Sequence, residues 1–348
     1  MKYLKFILFI LVIFSNTGNV LSKENLFNVN NIELTKNPNT SSEKMANKAI
    51  KLGFDELMNK ILLKDDYEKI LKSNISEIKQ FVSYYQIKKN SNKEADSNKV
   101  VFNVFFDKEK LHSLFYKRNI FYSDIADKEL YLLPVLIKND QIYIFNQNFF
   151  YENWNSSNDN NLIEFILPIE NIEVIQNINL NKENLLDLDL GILLKEYTNK
   201  NLALVIIEEL DNKIKKIYLK TRILGKNINK SVLVNNENSV SKKFYNKLIN
   251  QIRNEITNIV KSQNLIDIRT PSFLNAKLKI SKKNSIVELN KRIEQVDLIN
   301  DIFVQEFNNE YVLIKIKFIG KLDKIIKLLA KQEIKLELKN EQWRLRIL

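Results

Sequence analysis

The sequence predicts a mixed α+β and α/β chain of several modules, closing in a ferredoxin-like βαββαβ module. Three observations carry that prediction. Apolar stripes at helical spacing alternate with short apolar runs of strand length. With 348 residues the chain is long enough for two or three domains. From residue 277 onward, strand and helix periods follow one another in the split βαβ order.

Residues 1–22 have the layout of an export signal. Lys2 and Lys5 give a positive start, Phe6 to Phe14 contains no polar residue, and Ser15-Asn16-Thr17-Gly18-Asn19 breaks the run. That run is shorter than the roughly 20 residues a membrane-spanning helix needs. Val20-Leu21-Ser22 fits cleavage after Ser22. The competing reading is an uncleaved anchor or a buried helix. Cysteine is absent, so neither a disulfide nor a lipid anchor on cysteine is available. Later apolar windows such as Leu202–Ile207 and Tyr311–Ile319 are strand-sized. The expectation is an exported, periplasmic protein with no transmembrane span in the mature chain.

Residues 23–122 read as an α+β module. Residues 26–36 form a strand, and Thr40 with Glu43 has capping-box spacing before a helix carrying Met45, Ala49, Phe54, Leu57, Met58 and Ile61 on one face. Asp65-Asp66 starts a shorter helix and Ile75–Phe81 gives another. Val82–Ile87 and Val100–Phe106 are strands around the polar loop 89–98, and Asp107 caps a helix with Leu111, Leu114 and Phe115.

Residues 123–262 read as an α/β module. Leu130–Ile137 and Ile142–Phe145 make a hairpin. An aromatic loop at 145–155 precedes a strand at Leu162–Leu167. Asp187–Tyr197 is helical, Leu202–Ile207 and Lys213–Ile223 pair, and Val232–Val234 is a further strand. Ser241 opens a long helix striped by Phe244, Leu248, Ile252, Ile256 and Ile259. Residues 263–276, with Arg269-Thr270-Pro271, read as a linker.

Residues 277–348 form the ferredoxin-like module. Its elements are strand Lys277–Ile280, a helix with a Ser285/Glu288 capping box, strands Ile302–Phe307 and Tyr311–Ile319, a helix through Leu322 and Leu329, and a strand at Ile334–Leu338.

Charge is unevenly placed. The formal net charge is +12, yet residues 124–211 hold 5 basic against 16 acidic side chains, and residues 213–348 hold 29 against 13. Such a dipolar chain attracts acidic partners to its basic end. The alternatives are mutual docking of the two halves, or lysines that serve solubility alone.

Chemistry-bearing residues are sparse. His112 is the lone histidine, and a triad or metal site would have to use it without a Cys. The five glycines are isolated from one another, so no Gly-rich phosphate loop exists and no cofactor is expected. Glu170 and Glu173 follow Pro168 at a strand end. They are either an acid/base pair or the opening acids of a helix, which favour its dipole; Asp187 and Asp189 read the same way. Trp154, after Phe149-Phe150-Tyr151, is either a stacking surface or a ring tucked onto the core. Lys315 and Lys317 share one strand face, where they touch an anion or face water.

YLLPVLIKNDQIYIF (131–145), the aromatic stretch through Trp154, EFILPIENIEVI (164–175), LLKEYTNKNLALVIIEEL (193–210) and FDKEKLHSLFYKRNI (106–120) carry a resemblance over most of the mature chain. They resemble an exported Gram-negative bacterial family catalogued as a domain of unknown function, number twenty sixty-six. The export signal and the closing Trp343 segment agree in order. Glu170 and Glu173 stand where that family has Asp, and turn glycines are fewer. The resemblance implies an envelope location and no assigned reaction. The layout is also similar to TolB-like amino-terminal and flagellar-assembly proteins, as a fold-level analogy.

The functional expectation is a non-catalytic envelope protein that binds or scaffolds. Its partner would be an envelope protein, an anionic lipid surface or an acidic envelope polymer, and not nucleic acid. The alternative is a carboxylate-dependent periplasmic hydrolase.

Overall fold

The computed structural model describes residues 26–36, 40–70, 72–88, 99–125, 127–156, 162–210, 213–234, 241–280, 285–308 and 310–348. The export signal with its cleavage after Ser22, and the polar loop 89–98, lie outside the described residues. The chain is a mixed α and β protein with several sheets. It divides into two compact units, one of residues up to 58 with 71–114, the other of 59–70 with 115–348.

The first unit contains β1 (Asn28–Thr35) and most of α1 (Ser42–Ile61). α2 (Lys64–Ile70) falls in the second unit; α3 (Ile75–Gln80), β2 (Val82–Lys88) and β3 (Lys99–Phe106) return to the first. The three strands form an antiparallel sheet in the order β1-β3-β2. Ser41, not Thr40, caps α1: its hydroxyl accepts from the Lys44 N–H at 3.3 Å. Gly53 lets the helix approach β1, since a Cβ there would stand 2.8 Å from Ile32 Cδ1.

α4 (Lys108–Arg118) begins where Asp107 accepts from the Lys110 N–H, as its position in the sequence predicts. His112 on this helix is buried edge-on to the Phe27 ring, with centroids 5.6 Å apart. Burial first, and Lys108 second, push its imidazole down to about 4. The unfolded chain therefore takes up the proton first as pH falls below the ordinary histidine range. Stability is expected to drop by about 2 kcal/mol between pH 7 and 5, to fall further toward pH 4 and to level off only below it. Urea midpoints compared with His112→Leu would test this; equal pH slopes would count against it.

In the second unit, β4 (Tyr122–Ser123) is followed by β5 (Glu129–Lys138) and β6 (Gln141–Tyr143). Asn139 and Asp140 both take positive φ in the turn between the last two, the geometry a two-residue hairpin needs. α5 (Phe149–Asn153), β7 (Glu164–Ile166), α6 (Ile172–Leu180), α7 (Leu190–Leu193), β8 (Asn201–Leu210), β9 (Lys213–Ile223), β10 (Lys226–Val232) and α8 (Lys242–Gln263) complete the central part.

Its sheet runs β10-β9-β8-β5-β6, with β7 also on β5; β5 is parallel to β8 and β7. Alternate residues of β8 bury on opposite faces. Ala203, Val205 and Ile207 meet α5 and α8, whereas Leu202, Leu204 and Ile206 meet α6 and α7. The α/β layering read from the sequence is thus a sheet with helices on both sides.

Pro134 sits inside β5 without disrupting it. β7 pairs with residues 129–131 and β6 with 136–138, so Pro134 falls in the gap where no ladder donor is required. Asn148 fills that gap. It is fully buried; its Nδ2 donates to the carbonyls of Pro134, Tyr143 and Ile144 at 2.9, 3.1 and 3.0 Å, and its Oδ1 caps α5 through the Phe150 N–H.

Several element boundaries differ from the sequence reading. Asp187–Tyr197 is not one helix: α7 is four residues long and ends at Leu193, after which Lys195–Tyr197 is a 3₁₀ turn. β10 begins at Lys226, ahead of the expected Val232–Val234, because an edge strand with one solvated face shows little apolar alternation. The stretch 263–276 contains the end of α8, β11 (Leu265–Ile266) paired with β4, and the start of β12 (Ser272–Lys279). Arg269 clamps Asp267, holding that carboxyl below the usual range.

The closing sheet adds α9 (Ser285–Ile293), β13 (Ile299–Phe307), β14 (Tyr311–Phe318), α10 (Leu322–Lys331), β15 (Ile334–Lys339) and β16 (Gln342–Ile347). Its order is β13-β14-β12-β16-β15. The element order is therefore βαββαββ. β16, which the sequence reading did not assign, inserts parallel to β12 and displaces β15 to the edge. This sheet belongs to the same compact unit as the central one. Lys324 on α10 pairs with Asp124 at 2.6 Å.

Candidate functional site

Strict alternation builds the two faces of the closing sheet. Leu274, Ala276 and Leu278 on β12 and Val312, Ile314, Ile316 and Phe318 on β14 are buried. So are Leu289 and Ile293 of α9 and Ile325 and Leu329 of α10, the apolar stripes that two amphipathic helices supply to one side of a sheet. The intervening residues face the other way, and among the described residues that face is exposed or half-exposed.

The register places the polar side chains together. Phe273 lies opposite Lys317, Asn275 opposite Lys315, Lys277 opposite Leu313 and Lys279 opposite Tyr311. Lys277 also neighbours Arg344 on β16, and Arg346 follows two residues later on the same face. Two lysines are held on aromatic rings. Lys277 Nζ stands 3.5 Å from the Tyr311 ring centroid, and Lys315 Nζ stands 4.6 Å from that of Phe273.

Acids occupy the outer strands. Asp301 on β13 takes Lys317 at 3.3 Å, and Glu306 accepts from the Tyr311 hydroxyl at 2.7 Å. Glu337 on β15 lies between Lys335 at 2.9 Å and Lys339 at 3.2 Å, whose hydrogen bonds hold its carboxyl below the usual range. Among the described residues, Lys277, Lys279, Lys315, Arg344 and Arg346 have no carboxylate partner. Those five cations lie on the three inner strands; on the flanking edges Asp301 is held by Lys317 and Glu337 by Lys335 and Lys339.

The expected site residues are distributed as follows. Lys315 belongs to the unpaired group, while Lys317 is committed to Asp301. Trp154 is fully buried, edge-on to Phe165 at 6.0 Å, and its carbonyl accepts from Arg253. A ring so enclosed is core, and the stacking-surface reading of Trp154 is corrected.

Glu170 and Glu173 stand at the opening of α6, where Asn171 is the cap. Glu170 accepts from Asn146 Nδ2 at 2.9 Å; Glu173 pairs with Lys195 and lines a groove between α6 and α7. The two carboxylates thus serve different neighbours, and only Glu173 reaches the groove. Asp189 is the cap of α7, accepting from Gly191 and Ile192. Among the described residues no cluster of three or more His, Cys, Asp or Glu is placed to hold a metal ion.

Two cations of the basic hairpin of β9 and β10 are spent internally. Lys220 donates to the Leu186 carbonyl and Lys230 pairs with Glu255. Sequence reasoning found Lys315 but missed Lys277, Lys279, Arg344 and Arg346 as its neighbours. The alternation of 273–279 was a usable signal; the adjacency of β16 was not, because pairing register is non-local. Among the described residues no helix is long and apolar enough to cross a membrane. No protein family, curated protein or solved structure matches the chain.

Proposed function

We propose that this chain is an exported, non-catalytic protein of the bacterial cell envelope that works by binding or scaffolding. Its contact surface is the open face of the closing sheet, a ferredoxin-like module extended by one strand. The observation that carries the reading is the group of five cations that, among the described residues, have no carboxylate partner on the inner strands of an exposed sheet face. An unpaired cationic cluster raises the local concentration of acidic partners and speeds their association. The export signal at residues 1–22 and the resemblance to an exported family support the location.

The hydrolase reading has less to stand on, since Glu170 and Glu173 serve different neighbours. The test is co-sedimentation of mature protein (residues 23–348) with purified sacculi and with anionic vesicles at low and high salt. Binding to either that fades with salt is expected. Absence of binding to both would remove the face from function.

A further inference from the structure

We infer that the open face of the closing sheet takes a linear, phosphate-bearing envelope polymer, laid along its three inner strands; this rests on the reading above. The face distinguishes among acidic partners by where its unpaired cations lie. An anionic bilayer would press on the whole face, edges included, where Asp301 already holds Lys317 and Glu337 already holds Lys335 and Lys339. A chain confined to β14, β12 and β16, a strip about 10 Å wide, meets the five unpaired cations and bypasses the edges.

Two further features agree. The rings of Tyr311 and Phe273 already carry Lys277 and Lys315 on their faces, so they fix ammonium groups in place and are not free to stack on sugars or bases. The strip is also rich in lysine, a residue depleted from protein–protein interface cores. Arg344 and Arg346 add the planar forks that grip oxyanions. Cations on one strand face recur every second residue, about 7 Å apart, so an extended polyanion meets them in succession.

The probe is inorganic polyphosphate, titrated against mature protein between 50 and 200 mM salt, with anionic phospholipid vesicles as the second arm. At about 0.7 released counterions per contact, five contacts predict roughly a hundredfold loss of affinity over that range. The triple variant Lys277→Gln, Lys315→Gln, Arg344→Gln leaves two contacts. It should bind more weakly at low salt and lose under tenfold over the same range. Lys213→Gln, Lys216→Gln, Lys226→Gln removes the same charge from the β9–β10 hairpin and should change neither quantity.

Equal losses in both triple variants would overturn the inference, since binding would then follow net charge alone. Vesicle binding that depends on the face, with polyphosphate unbound, would also overturn it while leaving the contact face standing. No binding to polyphosphate, vesicles or sacculi would overturn both readings.

Discussion

Replacing Trp154 with Ala is expected to cost about 3–5 kcal/mol and to lower the melting midpoint of the second unit by roughly 10 °C. Polyanion binding should be untouched wherever the variant remains folded. The indole packs edge-on to Phe165 within the core cluster that also holds Phe150 of α5 and Ile252 and Ile256 of α8, so truncation leaves a cavity in that core. Its Nε1 has no hydrogen-bond partner among the described residues. Trp154→Phe therefore removes an unpaired donor along with some volume, and should cost less than about 2 kcal/mol. Thermal unfolding of the two variants gives the comparison. An Ala variant with unchanged stability but impaired binding would return Trp154 to the surface.

Asn148→Ala is expected to be of similar size although it deletes only an amide. Up to three buried carbonyls lose their donor, at about 1–3 kcal/mol for each one left unpaired, and α5 loses a cap worth about 1 kcal/mol. The sum is about 3–5 kcal/mol once partial relaxation is allowed. Asn148→Asp should be worse, because it keeps the acceptor for Phe150 yet turns a carboxylate toward the carbonyls of Pro134 and Ile144. Urea midpoints at unchanged m-value would establish the order wild type, Ala, Asp. An Ala variant within 1 kcal/mol of wild type would mean that water replaces the amide.

Both side chains belong to the aromatic loop at 145–155, where sequence reasoning offered two readings and had no means to choose. Local patterns were legible elsewhere. The stripe of α8, the Ser241 and Asp107 caps and the alternation of β14 each depend on residues within one or two turns of one another. What escaped depends on distant partners. Pro134 in a strand interior argues against a central strand until β6 and β7 are seen to leave it a gap. β10 and β16 carry too few buried side chains to announce themselves. The candidate site was half visible for the same reason: Lys315 and Lys317 lie on one strand, but which of them is neutralised depends on Asp301 across a bulged pairing.

The insertion of β16 sets a timetable for assembly. Of the five strands in its sheet it is the last in the sequence, yet it occupies an inner place, with β15 outside it. A nascent chain emerging in order can form the β13-β14-β12 half first, but the hairpin that seals the sheet must wait until residue 347 is free. Non-local pairing of this kind is slow even when all its residues are present. The strip of cations across β14, β12 and β16 is therefore complete only once that hairpin closes, so the contact face is among the last features of the sheet to form.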